Sequence, residues 1–169
     1  HNTLIGGDAG DALTDADDNV AVGYLALSTS VLGSRNTAVG SNALFASNPA
    51  TAVTTYNTGV GYHAGRLITT GISNTLIGSF AGDALTDADN NVAIGIGALG
   101  ADTKGSRSIA IGEGALTAQN FTTGTTPYNT VVGAVAGFAI TTGIQNTIIG
   151  GLAGDALTDA DFNVALGVS

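Results

Sequence analysis

The sequence predicts an all-β protein, a parallel β-solenoid of ten stacked coils, and three observations support that prediction. A short motif with an invariant glycine recurs ten times along the 169 residues. The apolar residues are mostly Ala, Val, Ile and Leu, and Cys, Met and Trp are absent. Small and β-branched side chains suit closely stacked strands. The two prolines and the many Thr, Asn and Gly residues disfavour helices.

The repeat has two levels. Residues 2–6 return as 74–78 and 146–150, and residues 2–73 align without a gap with 74–145 at about 60% identity, as expected of a repeat array. Within each 72-residue super-repeat, 17-residue coils occupy the first, second and fourth places and a 21-residue coil occupies the third. Residues 1–169 are therefore predicted to be one segment of a longer solenoid, with super-repeats 2–73 and 74–145 and a partial third at 146–169. The invariant glycines are Gly6, Gly23, Gly40, Gly61, Gly78, Gly95, Gly112, Gly133, Gly150 and Gly167.

Each coil opens with a core of nine residues, numbered here as positions one to nine. Position one is Asn in nine of the ten coils, with Ser108 as the exception. We expect these Asn side chains to cap neighbouring peptide groups and to form an amide ladder along one corner of the rod. Gly at position five suits a turn or a close backbone approach. Position eight is Ala in all nine complete coils, which predicts a place where only a small side chain fits.

Positions two to four predict a short strand, whose successive side chains point to opposite faces. Position four is always aliphatic, and we predict that it forms the interior row: Ile5, Val22, Val39, Val60, Ile77, Ile94, Ile111, Val132, Ile149 and Leu166. Position three is also never polar. Because a narrow solenoid has one interior and exposed apolar area favours association by about 25 cal/mol per Å², this row is predicted to line an interchain interface. The alternative is that its Ala and Gly residues tolerate exposure. Its members are Leu4, Ala21, Ala38, Gly59, Leu76, Ala93, Ala110, Val131, Ile148 and Ala165.

Three loops repeat an Asp-x-Asp-x-Asn motif. Its alternate positions place three oxygen-bearing side chains on one side of an extended segment, which suits a hard cation such as Ca²⁺. The alternative is a set of solvated acidic loops that keep the rod soluble, with Asn serving the coil corner. No other cofactor is expected. The predicted calcium ligands are Asp15, Asp17, Asn19, Asp87, Asp89, Asn91, Asp159, Asp161 and Asn163.

The 21-residue coils contain longer loops at residues 45–56 and 117–128, which are the most divergent and the most aromatic. We expect them to bulge at residues 47–55 and 119–127, on one side of the rod. Divergent loops on a rigid scaffold commonly carry recognition, and a cell-surface receptor or glycan is the expected partner. Lateral packing of the rods or decoration of the loop Thr residues is an equal alternative.

The charge and hydropathy of the chain disfavour two classes of partner. The formal net charge is −9, from 13 acidic and four basic residues, and so few bases disfavour binding to nucleic acid phosphates. No apolar run approaches the roughly 20 residues that span a bilayer. The absence of Cys removes disulfides and thiolate metal sites.

The cores at residues 108–112, 91–95 and 19–23 read Ser-Ile-Ala-Ile-Gly, Asn-Val-Ala-Ile-Gly and Asn-Val-Ala-Val-Gly. They resemble the head repeats of YadA-like trimeric autotransporter adhesins and the related repeats of phage tail fibres. The resemblance covers essentially the whole chain, although the adhesin heads usually have shorter coils. It implies a left-handed parallel β-roll, a tight homotrimer, and an extracellular location on a cell surface or virion.

Structural or adhesive roles are therefore expected, in the shaft or head of a fibre, and not catalysis. One alternative is the subunit of an extracellular helical filament. A more remote alternative is a hexapeptide-type acyltransferase, because Ile/Val-Gly-x-x-Ala-x also matches the repeat of those enzymes. Those enzymes carry the hexapeptide about three times per coil, whereas here the hexapeptide occurs once per coil. They also need a catalytic His. His63 is the one internal His, and Val135 stands at the equivalent position of the next super-repeat.

Overall fold

A computed structural model describes residues 1–168, which contain twelve β-strands and no α-helix. Ten strands are three residues long and occupy positions two to four of successive coils. Two shorter strands lie in the second coil and in the longer third coil that follows it. The strands are β1 Thr3–Ile5, β2 Val20–Val22, β3 Gly33–Ser34, β4 Thr37–Val39, β5 Val53–Thr54, β6 Thr58–Val60, β7 Thr75–Ile77, β8 Val92–Ile94, β9 Ile109–Ile111, β10 Thr130–Val132, β11 Thr147–Ile149 and β12 Val164–Leu166.

The predicted solenoid is confirmed by the pairing of these strands. The ten three-residue strands form one parallel sheet in the order β1-β2-β4-β6-β7-β8-β9-β10-β11-β12. Every pair aligns equivalent positions, as where Thr75, Leu76 and Ile77 face Val92, Ala93 and Ile94. Each coil thus adds one strand to the main sheet, and the register does not change between super-repeats.

Gly at position five forms a second continuous row, in the left-handed region of backbone space. Gly78 has φ of 129°, and a Cβ placed on it would lie 2.6 Å from the carbonyl oxygen of Gly95 in the next coil. The amide of Gly95 in turn donates to the carbonyl of Ile77, at 2.8 Å. Both the conformation and the close approach require glycine here.

The predicted amide ladder is present. The backbone amide of Asn91 donates to Asn74 Oδ1 at 2.9 Å, and Asn74 Nδ2 donates to the carbonyl of Ala88 at 2.8 Å. The first of these contacts, from a backbone amide to the Asn Oδ1 of the preceding coil, joins successive coils except where Ser108 replaces Asn. The left-handed residue at this corner is the one before the Asn, for example Ser73 with φ of 60°. Asn therefore acts here through its side chain, and its own backbone is not left-handed.

The predicted assignment of the two strand faces is wrong. Position three points into the solenoid: Ala21, Leu76, Val131 and Ile148 are fully buried within the single chain. Position four points outward, and Ile77 retains 38% exposure. The row predicted to line an interchain interface is therefore the chain's own core, and the row predicted to be interior lies on the surface. The strands pair as predicted, but every side chain lies on the opposite face.

The core is built from two kinds of coil, which alternate in pairs. In glycine coils, position nine is Gly and the buried aliphatic side chain stands at position three, as Leu76 does opposite Gly82. In leucine coils, position nine is Leu and position three is Ala, as in Leu99 and Ala93. The residue at position twelve also depends on the type of coil. It is Leu or Ile in glycine coils and polar in leucine coils. The four polar members of this row are Ser30, Ser47, Asp102 and Gln119, all buried.

One glycine coil has Gly59 at position three as well as Gly65 at position nine. Neither residue contributes a side chain to the core, and leucines of the preceding and following coils fill the space between them. A Cβ on Gly59 would lie 2.8 Å from Leu44 Cγ, and one on Gly65 would lie 2.6 Å from Leu76 Cδ1. Position eight is buried Ala in every complete coil, as predicted.

The long loops bulge over a shorter stretch than predicted. The exposed tips are residues 50–53 and 122–124, whereas Ser47, Thr55, Gln119 and Pro127 at the ends of the predicted bulges are buried. The returning part of the first loop forms β5, which pairs with β3 of the preceding coil, and a bridge between Gly105 and Thr125 repeats this in the second. These backbone pairs hold the ends of each insertion against the rod.

Candidate functional site

The outward face of the main sheet is the candidate site for association with another chain. It carries positions two and four of all ten coils, and these side chains are Thr, Val, Ile or Leu without one charged group. In the middle of the rod most of them are half-buried by their neighbours in the sheet, but Ile77, Ile109 and Ile149 are exposed. The result is a neutral surface, mostly aliphatic, that runs the length of the rod.

The charged residues lie on the other walls of the solenoid. Asp83, Asp87 and Asp89 follow the nine-residue motif of their coil, and Asp83 comes directly after it at position ten. Glu113 lies just past the position-five turn of its own coil. The chain therefore keeps its negative charge away from the outward sheet face, although the net charge is −9. Because charged residues are depleted at the centres of interfaces, this separation makes the face suited to burial.

The nine predicted calcium ligands do not form closed oxygen sets. In the second motif, Asp87 Oδ2 lies 3.5 Å from Lys104 Nζ, and Asp89 Oδ1 accepts from the Ile72 amide at 2.8 Å. Asn91 points inward, and its Oδ1 accepts from the amide of the next coil's first residue.

The other two motifs follow the same pattern. Asp161 Oδ1 accepts from the Ile144 amide at 2.8 Å, Asp15, Asp17 and Asp159 are exposed, and Asn19 and Asn163 belong to the amide ladder. Across residues 1–168, no three His, Cys, Asp or Glu side chains are grouped so that they could hold a metal ion. Calcium binding stays a prediction, and the engagement of Asn19 Oδ1 and Asn91 Oδ1 in the ladder favours the solvated-loop interpretation for the first two motifs.

Each long loop ends in an arginine–tyrosine contact with the preceding coil. Arg35 Nη1 donates to the Tyr56 hydroxyl at 3.0 Å and its guanidinium lies 5.8 Å from the ring centre. Arg107 and Tyr128 repeat the contact in the second super-repeat, at 3.0 and 5.9 Å. The long loops of the two super-repeats are thus held against the preceding coil by the same contact.

His63, which the acyltransferase alternative would need as a base, lies in an aromatic group on the rod surface. Its ring stacks on Tyr62 with centroids 3.9 Å apart, and Phe80 meets both rings edge-on. Partial burial, with a smaller contribution from Arg66, lowers the pKa of His63 below its ordinary value.

A buried polar group inside the second super-repeat was missed by the sequence reasoning. Asp102 Oδ2 accepts from Gln119 Nε2 at 2.5 Å, and its Oδ1 accepts from the amides of Gly105 and Phe121, both at 3.0 Å. Gln119 Nε2 also donates to Ser108 Oγ at 3.1 Å. Burial raises the pKa of the Asp102 carboxyl, although these hydrogen bonds oppose the shift.

The first super-repeat fills the same place differently. Ser30 and Ser47 are the counterparts of Asp102 and Gln119, and their buried hydroxyls have no hydrogen-bond partner among the described residues. The signal was present in the sequence as a polar residue at position twelve wherever position nine is Leu.

Among residues 1–168, no helix is long and apolar enough to cross a membrane. No protein-family model, curated protein or solved structure matches this chain.

Proposed function

We propose that this chain is a structural, adhesive fibre element, a part of the shaft or head of a phage tail fibre or of a cell-surface adhesin. The observation that carries the proposal is the uncharged, mostly aliphatic outward face of the main sheet. Parallel sheets are almost always covered on both faces. Here one face packs on the solenoid core, and the other has no cover within the described chain.

A second copy of this chain is the partner that fits the face best. The face repeats with the period of the coils, so a surface with the same spacing matches it along the whole rod. At about 25 cal/mol per Å² of apolar area, each coil adds to the gain before the costs of association are subtracted. The resemblance to trimeric adhesin heads supports three chains, and an extracellular position on a cell or virion.

The mechanical part of the proposed function follows from the repeat. Every coil is joined to the next by the main sheet and by the position-five glycine row, and nearly every coil also by the amide ladder. A rod held in this way is stiff along its axis and displays loops at fixed intervals. We infer that the exposed tips at residues 50–53 and 122–124 face outward from the assembled fibre, where a receptor or glycan can reach them.

The test is the mass of the chain in solution, measured by sedimentation equilibrium, for wild type and for Ile94→Glu/Ile111→Glu. We expect the wild type to be a trimer and the double variant to be a monomer, because two charges per chain would enter a dry seam. The matched control is Thr70→Glu/Thr142→Glu, which adds the same charge at exposed positions on another wall and should remain trimeric.

Circular dichroism separates dissociation from unfolding, since positions 94 and 111 face outward in the single chain. A monomeric wild type with its β-structure intact would overturn the association proposal. Mass that increases without limit as concentration rises would indicate an open filament in place of a closed trimer.

A further inference from the structure

Three aromatic rings, one arginine and one aspartate lie together on the wall that follows the position-five turn, in the coils beginning at residues 57 and 74. We name this set, Tyr62, His63, Phe80, Arg66 and Asp83, the aromatic cluster. His63 covers one face of the Tyr62 ring, and Phe80 contacts Tyr62 edge-on with centroids 5.3 Å apart. Tyr62 nevertheless retains 48% exposure and Phe80 41%. The arrangement leaves a rigid aromatic surface in contact with water.

The solenoid does not require this cluster. In the coils that lie 72 residues later, the last of the second super-repeat and the first of the partial third, the strands and register are the same, but four of the five residues differ together. Tyr62, His63, Arg66 and Phe80 are replaced by Ala134, Val135, Phe138 and Leu152, whereas Asp83 corresponds to Asp155. Since the fold is kept without the rings and the arginine, their joint presence points to a local role beyond building the coil.

The polar members of the cluster are near one another but are not paired. Arg66 Nε is buried and has no hydrogen-bond partner among the described residues. Arg66 and Asp83 form no ion pair among the ion pairs of residues 1–168. Burial raises the pKa of the Asp83 carboxyl, and the nearby Arg66 guanidinium partly opposes that shift. The Arg66 side chain and the half-buried Asp83 carboxylate therefore stand beside the rings without forming an ion pair with each other, and the amide of Leu67 next to Arg66 donates to the Asp83 carbonyl at 3.1 Å.

We propose that the aromatic cluster binds a neutral saccharide. The apolar C–H face of a sugar ring matches the exposed aromatic surface of Tyr62 and Phe80. A sugar hydroxyl both donates and accepts hydrogen bonds, so neighbouring hydroxyls satisfy the Asp83 carboxylate and the Arg66 guanidinium at once. The net charge of −9 disfavours acidic sugars by long-range repulsion. An apolar platform with a few convergent polar groups is the general composition of a small-molecule site.

This site does not depend on association of the chains. It lies past the turn at Gly61, on a different wall from the outward face of the main sheet, and its five residues belong to one chain. It is also separate from the long-loop tips.

The test is saturation-transfer NMR of the full chain with a panel of methyl glycosides of glucose, galactose, mannose and N-acetylglucosamine. We expect transfer to at least one of them, and a loss of affinity of about tenfold or more in Tyr62→Ala/Phe80→Leu. These substitutions copy Ala134 and Leu152, so the fold is expected to tolerate them. The matched control is Tyr24→Ile, which copies Ile96 and removes an exposed tyrosine outside the cluster; its affinity should be unchanged.

Two results would overturn the proposal: no transfer to any glycoside of the panel, or the same affinity in wild type and in the double variant. A melting temperature for each variant excludes unfolding as the cause of lost binding.

Discussion

Gly78 illustrates how little freedom one residue of each coil has. Its φ of 129° is unfavourable for any residue with a Cβ, and the next coil's carbonyl occupies the place where that Cβ would be. The two costs arise from different atoms, so relieving one does not relieve the other. The same geometry holds at position five in every coil that has another coil stacked on it.

We expect Gly78→Ala to destabilise the chain by about 2–4 kcal/mol, from left-handed strain and from a shifted backbone. Thermal unfolding followed by circular dichroism measures the effect. Gly124→Ala is the matched control, because Gly124 has an ordinary φ and nothing lies within 4 Å of its added Cβ. Equal melting temperatures for the two variants would contradict this account of the invariant glycine.

The sequence was sufficient to predict the roles of Gly, Ala and Asn, because each repeats at one position and has one strong physical reason to do so. It did not indicate which residue adopts the left-handed conformation before the Asn. That position is filled by side chains of unrelated chemistry, namely Asp18, Arg35, Tyr56, Ser73, Asn90, Arg107, Tyr128, Gln145 and Phe162. The surrounding hydrogen bonds impose the conformation there, so composition carries no signal for it.

At the scale of the strand, the structure decides a question that a three-residue segment leaves open. Positions three and four are both apolar, and a strand this short has no longer alternation to show which face is inside. The deciding pattern lies outside the strand. Position three is small wherever position nine is Leu, and it is large where position nine is Gly in every coil except the one with Gly59, as in Ala93 with Leu99 and Leu76 with Gly82. Only side chains that meet across a core need to share volume in this way.

Adjacent residues of β7 test the assignment. We expect Leu76→Ala to cost about 2–5 kcal/mol, because it opens a cavity between Gly65 and Gly82. Ile77→Ala, one residue later, should cost under about 1 kcal/mol in the isolated chain, because its side chain is already 38% exposed. Urea unfolding of a monomeric form, such as the Ile94→Glu/Ile111→Glu background, provides the comparison. A larger loss of stability in Ile77→Ala than in Leu76→Ala would mean that position four, and not position three, faces the interior.

At the scale of the whole molecule, two super-repeats of the same architecture contain different buried polar groups. Ser30 and Ser47 in the first correspond to Asp102 and Gln119 in the second, and Asn36 corresponds to Ser108. The amide ladder continues through Asn36, but is interrupted at Ser108, where Gln119 contacts both Ser108 and Asn129. These positions have changed together, so their energies should be coupled.

A double-mutant cycle measures this coupling. Asp102→Ser leaves the amides of Gly105 and Phe121 without an acceptor, and Gln119→Ser leaves Asp102 Oδ2 without its donor. We expect the variant with both substitutions, which has Ser at both positions as in Ser30 and Ser47 of the first super-repeat, to be more stable than the sum of the single effects predicts, by about 1–3 kcal/mol. Strict additivity would show that the two residues act independently.

Asp102 makes stability depend on pH, in the direction that follows from its raised pKa. Burial raises the pKa of Asp102 above its ordinary value of 3.8, so the folded chain binds that proton more tightly than the unfolded chain does. The contribution of Asp102 is therefore fully present below the ordinary pKa and is lost as pH rises through the raised pKa of the folded chain. Relative to the double variant, wild type should gain melting temperature as pH is lowered from 7 towards 4, because the other carboxyls are common to both proteins.

The order of the coil types has a consequence for how such a rod changes length. From the first coil onward, the types read glycine, leucine, leucine, glycine, and then repeat, so each super-repeat begins and ends with a glycine coil. Wherever one copy meets the next, apolar layers face each other, and each polar pair stays sealed inside its own copy. A tandem duplication of the DNA that encodes one super-repeat would thus insert a finished module, about 19 Å long at about 4.8 Å per coil, and create no junction that the rod does not already contain. Gene duplication can therefore lengthen this rod in steps of one super-repeat, with no compensating substitution at the new junction.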